Sequence, residues 1–445
     1  MPHGRRLDPY LGLYAARAHG MSASAIRALF AVASRPEVVS LAGGMPYLPA
    51  LPLEAVSELF ARLVAERGVT ALQYGSGQGD PRLRELICDV MALEGISASA
   101  DDVTVTVGSQ QGLDLVTRLF CDPGDVVVAE APSYVGALGT FASYEAEVVH
   151  VAMDDDGLIP AALSETVAAL AAQGKRAKFL YTVPNFQNPA GVSLAEYRRT
   201  EILTICRDAG LLVVEDNPYG LLGFDGDAPT ALRALDDAAS VGEDDERPGG
   251  VIYLGSFSKT FAPGLRVGWV LAPHSVREKL VLANESAVLC PPTFNQMAVA
   301  EYLATQPWQE HVKGYREIYR ERRDTMLDAL EGAMPEGCTW TRPAGGFFLW
   351  LTLPDGLDSR ALLPRAIQNR VAFVPGTGFY ADGQGVANLR LSYCYPEPER
   401  IREGVRRLAA VCEEEVELIE TFGPAAVRQA RTSGPLSDTP TPGTA

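Results

Sequence analysis

Five short apolar or alternating runs recur along the chain, at residues 102–107, 125–129, 179–183, 211–214 and 251–254, with helical patterns between them. Runs this short and rich in β-branched residues read as strands, and the most continuous of them as strands buried on both faces. Alternation with helices predicts an α/β fold around a mainly parallel sheet. In such sheets ligands bind beyond the carboxyl ends of the strands. The residues that follow the runs, among them Ser109, Asn188, Asp216 and Lys259, are therefore the ones to read for chemistry.

The last run opens Val251-Ile-Tyr-Leu-Gly-Ser-Phe-Ser-Lys-Thr-Phe-Ala-Pro-Gly-Leu-Arg-Val-Gly-Trp269, which sets Ser256, Ser258, Lys259 and Arg266 within eleven positions punctuated by glycines and a proline. Lysine is rare here: among 38 basic residues only Lys175, Lys178, Lys259, Lys279 and Lys313 are lysines. Four of them lie in polar or charged surroundings and read as solvated charges. Lys259, at the end of a buried run, reads as an amine held in a pocket, with hydroxyls and a guanidinium beside it for a phosphate. An amine nucleophile next to a phosphate site points to a Schiff-base lysine for pyridoxal 5′-phosphate (PLP).

Other residues each carry two readings. Gly108-Ser109-Gln110 between a strand and a helix is either an anion site at the helix N-terminus or a plain cap. Asp216, ending 211–216, either pairs with a pyridinium nitrogen or caps or bridges locally. Tyr134 at a strand end is core or a ring that stacks on a cofactor. Gly43 and Gly44 offer bare backbone to a ligand or form an ordinary turn. The glycine-rich loop after Tyr74 imitates a phosphate loop, but no Lys-Ser/Thr follows and no strand precedes it, so it is not a Walker loop. Arg27 falls in a helical pattern at 22–33, and Arg390 is a single arginine in a strand at 387–393; each reads equally as a surface charge.

Ser256-Phe-Ser-Lys-(three)-Pro-Gly-Leu-Arg-Val-Gly-Trp269 resembles the lysine signature of the fold type I, class I/II aminotransferases, and most resembles the subgroup of the 2-aminoadipate and kynurenine aminotransferases. Further motifs of that family follow in order over residues 20–420. The resemblance implies that Ser109, Gln110, Ser256, Ser258 and Arg266 bind the cofactor phosphate, with Tyr74 reaching the phosphate of the neighbouring subunit in an obligate homodimer. It places Tyr134 flat against the pyridine ring, and Asn188 and Tyr219 at the 3-oxygen. Asp216 falls at the ring nitrogen. It puts Arg390 on the substrate α-carboxylate, Gly43 and Gly44 beside it, and Arg27 over the active site. Lys259, Asp216 and Tyr219 are the implied catalytic residues.

The same resemblance implies PLP-dependent transferase fold type I, with a large domain at 46–290 and a smaller α+β domain at 291–421. An arm and helix at 1–45 precede them, and a disordered Pro/Ser/Thr/Gly-rich tail at 422–445 follows. The segment 225–250, acidic and rich in Gly, Pro and Ala, reads as an exposed excursion. A net charge of −18 excludes a basic nucleic-acid surface. Seven scattered cysteines without C-x-x-C spacing favour reduced thiols in a cytoplasmic protein over disulfides or a zinc site. No eighteen-residue apolar stretch is present, so no membrane helix is expected, and the N-terminus lacks a signal-peptide core.

The expected activity is transfer of the amino group of an L-amino acid, of 2-aminoadipate, aromatic or branched-chain type, to a 2-oxo acid such as 2-oxoglutarate. Another fold type I enzyme, whether a β-lyase, decarboxylase or racemase, would share nearly every motif. A regulator with an aminotransferase-like domain would need an N-terminal winged helix, for which residues 1–40 are too short and insufficiently basic.

Overall fold

The computed structural model describes residues 8–19, 35–226, 228–239 and 250–423. The helix expected at 22–33 with Arg27, residues 227 and 240–249 of the acidic segment, and the tail beyond residue 423 lie outside the described residues.

The strands, in chain order, begin with β1 (Val39–Ser40), β2 (Val103–Thr106), β3 (Val126–Ala131), β4 (Glu147–Asp154) and β5 (Gly157–Leu158). Then come β6 (Ala177–Thr182), β7 (Leu212–Asp216), β8 (Val251–Ser256) and β9 (Gly268–Leu271). Eight of these form the central sheet in the order β2-β9-β8-β7-β6-β3-β4-β5. The five from β8 to β4 run parallel. β9 is antiparallel to both of its neighbours, and β5 is antiparallel to β4.

Alternation along β3 shows why the sheet is covered on both sides. Val127 and Ala129 enter one core cluster with Leu113, Val116 and Phe141, which sit on the helices Ser109–Phe120 and Val135–Ser143. Val126 and Val128 enter the opposite cluster with Leu163, Leu170, Ile202 and Leu203, from the helices Pro160–Ala172 and Glu196–Asp208. Side chains two apart share a face, so a continuous apolar run fills both cores at once.

A second sheet combines β10 (Thr339–Trp340), β11 (Phe348–Thr352), β13 (Val374–Pro375) and β14 (Asn388–Ser392) in the antiparallel order β10-β11-β14-β13. β12 (Val371–Ala372) pairs instead with β1, which ties the segment just before Gly43 to this part of the chain. Leu349, Leu351, Leu389 and Leu391 are fully buried in the core cluster that holds Val405 and Leu408 of the helix Pro398–Phe422. Trp350 and Arg390 are register partners and alternate with those leucines, so they project from the other face.

Two elements differ from the sequence reading. Residues 315–330, whose charged, helically spaced sequence predicts a helix, lie within a longer one that runs from Trp308 to Ala333. Part of the segment read as an exposed excursion is the helix Leu232–Ala239, with Leu232 buried and its N–H donating to Glu215 Oε1 at 3.0 Å. The buried carboxylate of Glu215, at the end of β7, provides acceptors for the first N–H groups of that helix, an interaction that local composition does not show.

Candidate active site

A cavity of about 270 Å³ opens at the carboxyl ends of β2, β6, β7 and β8, and is closed from the second sheet by Phe348 and Arg390. Its lining includes Ser109, Gln110, Tyr134, Asn188, Asp216, Tyr219, Ser256, Ser258, Lys259, Arg266 and Gly44. The strand ends thus converge as the fold class requires.

Lys259 follows β8 by three residues and is partly exposed to the cavity. Its Nζ donates to the Gly44 carbonyl at 2.8 Å and lies 5.4 Å from the centre of the Phe347 ring. Burial first, then the charges of Arg390 and Arg266, push its pKa down to about 8, against the pull of Cys394 and Asp216. An amine in that range exchanges protons readily near neutral pH. Of the other lysines, Lys175, Lys178 and Lys313 are in ion pairs with Glu147, Asp125 and Glu310, and Lys279 is exposed.

Asp216 ends β7. Tyr181 donates to its Oδ2 at 2.8 Å, while Oδ1 is buried without a hydrogen-bond partner. Burial raises its pKa to about 6, against the Tyr181 hydrogen bond and the charge of Lys259.

The opposite end of the cavity is built for an anion. The helix Ser109–Phe120 starts after Gly108, whose φ of 77° is left-handed and whose lack of a side chain leaves the first N–H groups uncapped. A Cβ at Gly108 would collide with the Arg266 guanidinium, and one at Gly268 would sit 2.5 Å from the Ser109 nitrogen. The Ser256 and Ser258 hydroxyls are 2.8 Å apart, and Arg266 Nη1 reaches Ser258 Oγ at 3.4 Å. Helix N-terminus, two hydroxyls and a guanidinium together make an anion cradle. The Gln110 side chain is turned aside, its amide donating to Thr140 Oγ1 at 2.8 Å, and the Tyr134 hydroxyl donates to Gln110 Oε1 at 3.3 Å.

Arg390 brings a second guanidinium to the cavity. Nη1 donates to Asn188 Oδ1 at 2.8 Å and Nη2 to the Ala42 carbonyl at 2.6 Å, while Nε is buried without a partner. Its guanidinium carbon stands 4.0 Å over the Phe348 ring centre. Burial lowers its pKa to about 10, which still leaves it charged at neutral pH. Tyr219 is buried with its ring edge-on to Phe347 and Phe348.

These residues fit PLP. One cavity holds an amine, a carboxylate oxygen that lacks a donor and a cradle that a Cβ would fill. A protonated ring nitrogen would satisfy the oxygen, and a phosphate would occupy the cradle.

Two of the described residues singled out in the sequence do not line the cavity. Gly43 sits beside the cavity, its carbonyl 3.7 Å from Cys394 Sγ, whereas Gly44 lines it. Tyr74 is 78 % exposed and lies outside the cavity of its own chain. Arg27 is outside the described residues. Conversely, Tyr181, Phe348 and Cys394 went unremarked. The pair Gly345-Gly346 shortly before Phe348 is a signal in the sequence that could have drawn attention to that strand, but nothing in the pattern of 179–183 sets Tyr181 apart from an ordinary core residue.

Residues 36–408 match the family model described as aminotransferase class I and II. The chain belongs to that family. It is 41% identical over 409 residues to an aromatic-amino-acid aminotransferase of Thermococcus litoralis, covering 92% of this chain and 95% of the other. It is 40% identical over 390 residues to the 2-aminoadipate transaminase of Thermus thermophilus, covering 87% of this chain and 93% of that one. The solved structure of a kynurenine aminotransferase from Pyrococcus horikoshii superposes with a TM-score of 0.85 at 40% identity, over 91% of this chain and 98% of the other. The fold is therefore PLP-dependent transferase fold type I, the cofactor is PLP, and the protein is an aminotransferase acting on small amino and oxo acids. Among the described residues no helix is long and apolar enough to cross a membrane.

Proposed function

We propose that this aminotransferase moves the amino group of an L-amino acid of aromatic, 2-aminoadipate or branched-chain type to a 2-oxo acid such as 2-oxoglutarate, by ping-pong kinetics. The observation that carries the reading is one cavity holding Lys259 Nζ, the unpartnered Asp216 Oδ1 and the Arg390 guanidinium. The donor classes are supported by the names of the similar proteins, which act on aromatic amino acids, 2-aminoadipate and kynurenine.

Bound PLP supplies the electron sink that makes the α-proton of an amino acid removable. Arg390 forks onto the substrate α-carboxylate, a planar recognition that lysine does not reproduce, with Asn188 orienting it and the Gly43-Gly44 backbone alongside. Lys259, with its depressed pKa, would take the α-proton as a neutral amine and return it to the cofactor carbon C4′, on the far side of the amino nitrogen. Asp216 would accept the ring N–H and stay ionised against it. Tyr219 and Asn188 would hydrogen-bond the 3-oxygen, Tyr134 would cover the ring, and the backbone N–H groups of Ser109 and Gln110 with Ser256, Ser258 and Arg266 would hold the phosphate.

The homodimer belongs to the same reading: the exposed Tyr74 reaches the phosphate of the partner subunit, so each site needs both copies. Domains at 46–290 and 291–421, with an arm at 1–45, are the divisions that fit this arrangement. Seven free cysteines accord with a reducing, cytoplasmic setting.

A panel of L-amino acids, each mixed with the PLP-loaded enzyme in the absence of any oxo acid, tests the function. The expected result is loss of the cofactor's visible absorbance with aromatic, 2-aminoadipate or branched-chain donors, and its return on adding 2-oxoglutarate. Absorbance that no donor bleaches, or bleaching that no oxo acid reverses, contradicts it.

A further inference from the structure

Glu94 is a carboxylate that the mechanism above does not use, yet it is only 3 % exposed and sits behind the wall of the cavity formed by Asp216 and Tyr219. It lies just beyond the helix Pro81–Ala92. The Tyr253 hydroxyl donates to its Oε2 at 2.7 Å, and the Asn217 amide donates to its Oε1 at 2.6 Å. Asn217 is the neighbour of Asp216, and its Oδ1 accepts from the Asn185 amide at 3.0 Å. Asn185 Oδ1 in turn accepts from Arg199 Nη2 at 2.7 Å. Asn185 opens the turn 184–191 that carries Asn188, so one unbroken chain of hydrogen bonds joins the two turns that line the site.

Gly220 keeps the space for this arrangement, because a Cβ there would fall inside contact distance of Glu94 Oε1. The fold thus leaves room for the carboxylate, although burying one is costly unless every lone pair finds a donor.

We propose that Glu94 is a positioning residue for transamination: it locks the turn bearing Asp216 and Tyr219 to the turn bearing Asn188, and so sets the geometry around bound PLP and the α-carboxylate clamp. The proposal rests on the assignment of this cavity to PLP and amino-acid binding. The titratable groups that face Glu94 are Tyr253 on β8, Glu215 on β7 and Arg199 on the helix Glu196–Asp208. Burial pushes Glu94 up to about 7, with Glu215 adding to the shift and Tyr253, Asn217 and Arg199 opposing it. Glutamine keeps the shape but turns one acceptor into a donor, which must then face either the Asn217 amide or the Tyr253 hydroxyl.

The test compares E94Q and Y253F with wild type as full-length PLP-loaded enzymes. Three quantities are read: the pH titration of the bound cofactor's absorbance, the single-turnover rate with a donor amino acid, and the melting temperature. Misplacement of a supporting turn lowers rate by roughly tenfold to a hundredfold. E94Q is expected to fall in that range with a displaced absorbance titration, and Y253F to show a smaller loss in the same direction.

Wild-type rates and titrations in both variants, whatever happens to melting, make Glu94 a structural residue only and overturn the proposal. Where E94Q does not fold, Y253F decides by the same two readouts. A wild-type protein that binds PLP but transfers no amino group sinks the transamination reading instead, and the absorbance comparison still decides the role of Glu94.

Discussion

Asp216 is tuned for a partner. Its carboxyl is raised from 3.8 to about 6 chiefly by burial, so the folded chain without cofactor holds that proton more tightly than the unfolded one. The favourable contribution of the protonated form is complete below about 4 and is lost as pH rises through about 6. In cofactor-free protein at pH 8, Asp216→Asn should therefore raise stability by roughly 1–3 kcal/mol, and the gain should shrink toward zero as pH falls to about 4. Denaturant unfolding of both proteins at the two pH values checks this. A variant no more stable than wild type at pH 8 would show that Oδ1 is not stranded. The same variant should bind PLP more weakly, the exchange of stability for function expected at a tuned site. The sequence made Asp216 a candidate because it ended a buried run. It left Tyr181, the hydrogen-bond donor that orients it, unmarked, since a cross-strand contact between β6 and β7 depends on register.

Among the elements, the first turn of the helix Ser109–Phe120 was legible as strand, glycine, serine and helix, with anion site and plain cap left open. What decides between them is the neighbour: Arg266, itself at a left-handed φ of 53°, lies where a Gly108 side chain would be. Gly108→Ala adds a Cβ at a strained φ and displaces that guanidinium. It is expected to weaken PLP binding about tenfold or more, measured by titrating cofactor-free protein, because a charge-assisted contact to phosphate is lost. Unchanged affinity would remove the cradle from the site. The helix Leu232–Ala239 was illegible for a related reason. Its start is held by Glu215, seventeen residues earlier and on a strand, and no local pattern announces such a partner.

For the whole molecule, alternating runs and helices were enough to place the parallel sheet and the end at which its ligand binds. The antiparallel β9 and the pairing of β1 with β12 were not readable, because strand order and partner choice are long-range properties. The exposed surface raises the question of assembly. Val69, Leu72 and Tyr74 are 92 %, 73 % and 78 % exposed, an apolar group beside a loop that the reading assigns to a partner's site. Sedimentation equilibrium is expected to return twice 47.7 kDa, and Tyr74→Ala to weaken PLP binding without unfolding the chain. A fully active monomer would refute the shared site.

The central claim is that Lys259 alone carries the cofactor. Borohydride reduction of the PLP-loaded enzyme, followed by peptide mass mapping, addresses it directly. The account predicts a phosphopyridoxyl group on the peptide containing Lys259 and on none of those containing Lys175, Lys178, Lys279 or Lys313. Label on any of those four, or no label at all, would contradict it.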